Sequence, residues 1–241
     1  MTAEMGSFWD QRAEEDAFFF VDNRLDYGSP DLPRFWAEGR RDLDLLLDAL
    51  GVQIEPSDAV LEIGCGVGRL TRGIATRAAS VRAVDVSARM LELAREHNPE
   101  LRNVQWIRGD GTSLSPIESG SVDACVSHVV FQHIPDPAIT LGYVVEIGRV
   151  LRPGGWAAFQ ISNDPRVHRH RPLWARLKLE LMALTGRAPR GQEDSRWRGS
   201  MVELDDLRAA AADGSMEVER VVGEGTQLCC VLTRRLPAPR K

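Results

Sequence analysis

Leu43, Leu46, Leu47 and Leu50 fall at i, i+3, i+4 and i+7, which puts four leucines on one face of a helix. Gly51 follows as a C-terminal stop. The chain from Phe8 to about Leu50 reads as helical, with Ser29-Pro30 and Leu32-Pro33 breaking it into two or three short helices. From Ala59 the pattern changes. Short apolar runs at Ala59–Ile63, Ser80–Asp85, Val104–Gly109, Val122–Ser127 and Trp156–Ser162 read as strands. Helical spacing separates them over Arg69–Ala79, over Ser87–His97 and after Asp136-Pro137. Ser87 and Asp136 are placed as caps, and Pro137 suits a first helical position. Leu141, Val144, Val145, Gly148 and Leu151 form the inner face of the last helix, and Pro153-Gly154-Gly155 turns the chain into the fifth strand. Ser200-Met201-Val202-Glu203 reads as a capping box opening a helix through Ala212 that Gly214 stops. Glu217–Val222 and Gln227–Arg234, joined by Gly223-Glu224-Gly225-Thr226, predict an antiparallel hairpin. Strands alternating with helices imply an α/β fold with a doubly wound, mostly parallel sheet. The predicted division is a helical cap over 1–50 and an α/β domain over 51–241. An insert at 163–199 follows the fifth strand, with helical spacing over Leu173–Leu184.

The junction of the first strand and its helix carries the chemistry. Val60-Leu61-Glu62-Ile63-Gly64-Cys65-Gly66-Val67-Gly68-Arg69 is an apolar strand with an acid near its end, then three glycines at alternate positions, then a helical start. Glycine lacks Cβ, so its backbone can turn sharply and lie close to a ligand. Strand, glycine loop and helix in that order make a nucleotide site at the carboxyl edge of a parallel sheet. The spacing is G-x-G-x-G, one residue short of the dinucleotide fingerprint G-x-G-x-x-G. With Glu62 in front, that points away from NAD and towards S-adenosylmethionine. The segment resembles the first motif of the class I S-adenosylmethionine-dependent methyltransferases, in particular their type 11-like small-molecule members. A Rossmann-like parallel sheet ending in an antiparallel hairpin resembles them too, and the resemblance spans about Ser57 to Arg235.

The resemblance implies S-adenosylmethionine as cofactor and S-adenosylhomocysteine as product, with a role for each candidate residue. Gly64, Cys65, Gly66 and Gly68 would pass beneath the ribose and methionine moieties, and Glu62 would pair with the ammonium. Arg69 has two readings, a partner for the cofactor carboxylate or a surface ion-pair residue. Asp85 ends the second strand 23 residues after Glu62, and ionised Asp, which only accepts, suits the two ribose hydroxyls. Val86 and Met90 would pack on the adenine. Asp110 would receive the adenine amino group and the Gly111 backbone a ring nitrogen, although Gly-Asp-Gly is also plain turn chemistry. Ser127 ends the fourth strand, at whose carboxyl edge the methyl group would be presented. His133 and then His128, just beyond it, are the candidates for general base, the alternative being hydrogen-bonded walls of the pocket.

Composition narrows the partners. Hydrophobic residues make up 43% of the 241 residues, as in globular proteins. No apolar run approaches the roughly 20 residues that span a bilayer, and the acidic, aromatic N-terminus is not a secretory signal, so the expectation is a cytoplasmic protein without a membrane partner. Cys65, Cys125, Cys229 and Cys230 form no C-x-x-C pair and read as buried thiols. His168-Arg169-His170 lacks partnering ligands, so no metal is expected. A net charge of −5 disfavours nucleic acid. The segment Pro165–Arg198 is nonetheless +6, leaving −11 elsewhere. It is either a site for a carboxylate or phosphate on the acceptor, with Arg169 and Arg171 as candidates, or a solvated helix paired to the acidic body. Phe8-Trp9, Phe18-Phe19-Phe20 and Phe35-Trp36 predict an apolar lid, and Trp36 and Gly39 resemble a cofactor-proximal segment. No Asn-Pro-Pro-Tyr-like tetrad follows the fourth strand, and Cys125 lacks a Pro-Cys context, so methylation of exocyclic adenine amines, glutamine side chains or pyrimidine carbons does not fit. The expected activity is O-methylation of a small metabolite, sugar or natural product. Methylation of RNA or protein, a non-catalytic S-adenosylmethionine-binding module and an NAD oxidoreductase are the alternatives. The acceptor's identity and homo-oligomer formation are left open.

Overall fold

The structure is a computed structural model that describes residues 2–167, 174, 177–178, 181–182 and 194–237. Two helices come first, α1 (Thr2–Val21) and α2 (Leu32–Leu50), within the two or three expected but longer than predicted. Pro33 falls in the first turn of α2, where a missing N–H costs nothing. The Asp31 side chain accepts from Arg34 N at 3.0 Å there, and Gly51 closes the helix at φ 69°. Asp16, at φ −167° and ψ 87°, kinks α1.

The sheet strands are β1 (Ala59–Ile63), β2 (Ser80–Asp85), β3 (Val104–Arg108), β4 (Val122–Ser127), β5 (Leu151–Ile161), β6 (Met216–Val222) and β7 (Cys229–Arg235). Their spatial order is β3-β2-β1-β4-β5-β7-β6, parallel through β5, with the predicted hairpin β6–β7 antiparallel. The connecting helices are α3 (Thr71–Ala75), α4 (Ala88–His97), α5 (Pro137–Val150) and α6 (Leu204–Asp213), with 3₁₀ and α turns at Phe131–His133 and Ser195–Arg198. Because β2 lies to one side of β1 and β4 to the other, the chain reverses direction there and opens a crevice at the carboxyl ends of β1 and β4.

Side-chain alternation splits the core between the two faces of the sheet. Leu61 and Ile63 of β1 pack with α5 and α6, while Val60 packs with α2, α3 and α4. Burial on both faces is what a parallel sheet requires.

Several predicted elements are corrected. The helix expected over 69–79 is helical only over 71–75. β5 begins at Leu151, before the Pro-Gly-Gly, because Val122 already pairs with Leu151 and the ladder is irregular beyond it. No capping box forms at Ser200. Its hydroxyl donates to the Ile134 carbonyl instead, and Glu203 caps α6 without a side-chain bond. The helix expected over 173–184 lies mostly outside the described residues, as do His168, Arg169, His170 and Arg171.

Candidate active site

Two adjoining cavities lie at the crevice. The inner one has a volume of about 130 Å³ and the outer about 560 Å³, and they share Phe20, Val21, Arg69, His128, Val129 and His133. The floor of the inner cavity is the predicted loop. Gly64 and Gly66 hold φ of +73° and +53°, and a Cβ on Gly64 would lie 2.3 Å from Val130 Cγ2. Only glycine allows both that backbone and that approach.

Glu62 and Asp85 face this cavity, and burial raises the pKa of each. Glu62 is pushed up to about 7. Among the described residues its one hydrogen-bond donor is Thr71 Oγ1 at 2.6 Å; the Asp85 charge adds to the rise, and the Thr71 bond and the Arg69 charge oppose it. No cation lies within ion-pair distance of it among the described residues. Asp85 accepts from Gly66 N at 2.8 Å on one oxygen and Ser87 N at 2.9 Å on the other, with the Val86 amide also beside it, and a carboxylate with about four acceptor sites keeps capacity for more. Cys65, Val86, Met90 and Gly111 line it too, as do Arg69, His128 and His133.

Four predicted residues stand elsewhere or otherwise. The Asp110 carboxylate closes its own turn, accepting from the backbone and hydroxyls of Thr112 and Ser113, and it is exposed outside the cavity. The Ser127 hydroxyl donates to Ile63 O at 3.1 Å and ties β4 to β1. Gly68 meets Trp106 and Asn98 rather than the cavity. Arg69 lines both cavities but is no surface residue. It is buried, with Asp42 at 2.6 Å and Asp22 at 3.5 Å. Arg24 bridges the same two carboxylates. Burial alone would raise Asp22 and Asp42, but hydrogen bonds from Arg24, joined at Asp42 by Arg69, outweigh it and hold both carboxyls low.

The candidate bases line both cavities. Burial and the neighbouring Arg69 charge push His128 down to about 4, with Nδ1 3.4 Å from Arg69 Nη2. His133 is lowered by burial, opposed by a hydrogen bond between its Nδ1 and the Trp197 carbonyl. A carbonyl only accepts, so Nδ1 carries the proton and Nε2 keeps its lone pair.

The lid is partly the one expected. Met5, Trp9, Phe20 and Val21 of α1 line the inner cavity, and Trp9 and Trp197 pack on His133, with Phe20 edge-on against Trp197. Asp10 anchors α1 by accepting from Ser87 Oγ at 2.6 Å and Arg89 N at 3.0 Å, at the start of α4. Phe35 and Trp36 pack behind α1 against Phe18, and Trp36 carries the Arg72 guanidinium at 3.6 Å. Gly39 marks where α2 rests on the Arg69 backbone. In the insert, Arg166 pairs with Asp164, and Arg196 pairs with Asp194 while its Nη1 donates to the Glu4 carbonyl of α1 at 3.3 Å.

Sequence patterns gave no signal for Val129, whose φ of 57° is uncommon for a β-branched residue. Its N–H donates to Gln160 Oε1 at 3.1 Å, on β5. Tertiary contacts impose that conformation.

A protein-family profile described as "Methyltransferase domain" matches residues 61–159. The ubiquinone biosynthesis O-methyltransferase of Nitrosospira multiformis is 26% identical over 166 residues, which are 68% of this chain and 64% of that protein. The biotin biosynthesis bifunctional protein BioHC of Cellvibrio japonicus is 37% identical over 115 residues, 46% of this chain and 21% of that one. The chain therefore spans just under two thirds of the first of these relatives and about a fifth of the second. Phosphoethanolamine N-methyltransferase 1 of Haemonchus contortus, solved with phosphoethanolamine and S-adenosylhomocysteine, superposes with a TM-score of 0.63 at 16% identity, over all of this chain and 50% of that one.

S-adenosylmethionine fits the residues present. Glu62, a buried carboxylate with no cation within ion-pair distance among the described residues, suits an ammonium, Asp85 keeps acceptor capacity for a diol, and Val86 and Met90 offer an apolar wall for a base. Sheet order, the glycine loop and the methyltransferase-domain match over residues 61–159 together support a class I S-adenosylmethionine-dependent methyltransferase.

Proposed function

We propose that this protein methylates a hydroxyl oxygen of a small-molecule acceptor, with His133 as general base. The observation that carries this is the His133 tautomer: with Nδ1–H held by the Trp197 carbonyl, Nε2 is a fixed proton acceptor at the wall shared by both cavities. Similarity to ubiquinone biosynthesis O-methyltransferases, at 26–28% identity, supports oxygen as the methylated atom. The volume of the outer cavity, about 560 Å³, supports a small acceptor. Bound S-adenosylmethionine supplies a methyl carbon on a sulfonium, whose C–S bond breaks as the acceptor oxygen bonds to that carbon.

The chain's own residues bind, orient and exclude water. Glu62 holds the ammonium and Asp85 the ribose hydroxyls. Met5, Trp9, Phe20 and Val21 keep the inner cavity dry, which strengthens the electrostatics inside. His133 Nε2 takes the acceptor's proton, and the Trp197 carbonyl stabilises the imidazolium that forms. Residues 1–50 act in this scheme as the cap and 163–199 as the substrate insert. The free thiols of Cys65, Cys125, Cys229 and Cys230 suit a reducing compartment, and we place the protein in the cytoplasm on that ground.

Calorimetric titration with S-adenosylhomocysteine tests the cofactor site. The wild type is expected to bind in the micromolar range. Asp85→Asn keeps one oxygen acceptor and should weaken binding about tenfold, or about 1.4 kcal/mol. A folded wild type that binds neither S-adenosylhomocysteine nor S-adenosylmethionine overturns the proposal.

A further inference from the structure

Of three shielded polar atoms on residues of the outer cavity without a hydrogen-bond partner, Arg69 Nε belongs to a guanidinium already paired with Asp22 and Asp42, which leaves two, Arg198 Nε and Gln132 Oε1. Buried donors and acceptors are almost always paired, so two beside one cavity call for a reason. The fold brings them together. The turn Ser195–Arg198 packs on the 3₁₀ turn Phe131–His133. Gly199 lies so close to Gln132 that a Cβ there would come within 1.8 Å of its carbonyl oxygen.

The charges of this cavity balance except for one. Asp22 and Asp42 answer Arg24 and Arg69. Asp194, the carboxylate nearest Arg198 in sequence, is taken by Arg196 at 2.5 Å. Among the described residues no carboxylate lies within ion-pair distance of Arg198. The cavity thus holds one guanidinium in excess, and a guanidinium is suited to two-point contact with a carboxylate or phosphate. Phe20 and Trp197, with ring centroids 5.5 Å apart, give the same cavity an apolar wall.

We propose that the acceptor carries an anionic group, a carboxylate or phosphate, as well as its hydroxyls. Arg198 grips the anion, and Gln132 Oε1 accepts from an acceptor hydroxyl. His128 and His133 mark where this cavity meets the inner one, so the anion anchors the far end while the reacting oxygen lies at the shared wall. The inference rests on the methyl-transfer proposal and names the substrate class of that same site.

Paired probes test it. Wild type, Arg198→Ala and Arg198→Lys are each given 3,4-dihydroxybenzoate against its methyl ester, and 4-hydroxyphenyl phosphate against 4-methoxyphenol. Release of S-adenosylhomocysteine gives kcat and KM, calorimetry gives acceptor binding in the presence of S-adenosylhomocysteine, and a separate titration gives the Kd of S-adenosylhomocysteine itself. The wild type should prefer the charged member of at least one pair by about tenfold or more in kcat/KM, or in affinity where turnover is slow. Which pair shows the preference tells carboxylate from phosphate. Arg198→Ala should erase it through KM, Arg198→Lys should keep part of it, and the Kd of S-adenosylhomocysteine should stay unchanged in both. The inference is overturned if charged and neutral probes are treated alike, if the preference survives in Arg198→Ala, or if neither charged probe binds while S-adenosylhomocysteine does. A wild type that fails to bind S-adenosylhomocysteine removes the methyl-transfer proposal, and this one with it.

Discussion

His128 and His133 are both neutral at pH 7, yet they are not equivalent as bases. The Arg69 guanidinium beside His128 adds to burial and drives it to about 4, which makes it a poor proton acceptor. Burial also lowers His133, but a carbonyl rather than a cation faces its Nδ1, and that contact stabilises the charged ring. His133→Ala should therefore lower kcat by about 10²–10⁴-fold while the Kd of S-adenosylhomocysteine is unchanged, and His128→Ala should cost less. Since the His133 pKa lies below the ordinary 6.5, kcat should hold steady through neutral pH and fall only as acid reaches that lowered value. An unchanged kcat in His133→Ala across this range would rule it out as the base.

At the scale of elements, glycine decides where helices can meet the rest of the chain. Gly148 of α5 faces the end of α6, and a Cβ there would lie 2.1 Å from the Gly214 carbonyl oxygen. The obstacle is backbone and cannot rotate away, so Gly148→Ala has to separate the two helices. We expect a loss of about 1–3 kcal/mol in urea unfolding, the range for overpacking a tight contact. Affinity for S-adenosylhomocysteine should be kept, because this crossing lies outside both cavities. A variant as stable as the wild type would mean that α5 and α6 slide without cost.

For the molecule as a whole, burying the Glu62 carboxylate bears on stability. Glu62 has its pKa raised from 4.5 to about 7 on folding, so the folded state holds that proton more tightly than the unfolded chain does. Its ionisation then costs stability as pH rises from about 4.5 to about 7, and the full cost persists above that. At about 1.4 kcal/mol per pKa unit the ceiling is about 3 kcal/mol. Glu62→Gln should remove the cost, making the unliganded protein more stable than the wild type above about pH 7 and little different below about pH 4.5. It should also bind S-adenosylmethionine at least about tenfold more weakly, having no charge for the ammonium. Denaturant titrations at both pH extremes, alongside calorimetry, check both halves. Equal stability at high pH would show that Glu62 carries no such burden.

The sequence alone determined the order of elements, the glycine loop with Glu62 and Asp85, and the hairpin that ends the sheet, because local periodicity, turn chemistry and close backbone approach are written in consecutive residues. Residues whose partners lie far along the chain were decided only by the tertiary structure. Asp110 and Ser127 stand at strand ends where the motif order puts them, but one bonds its own turn and the other the neighbouring strand. Arg69 could be read as a surface residue until folding brought Asp22 and Asp42 beside it. The tautomer of His133 depends on Trp197, 64 residues away, and the strained Val129 on Gln160. Such contacts leave no period in the sequence. They arise when α1, the 3₁₀ turn and the end of the insert converge on one sheet edge.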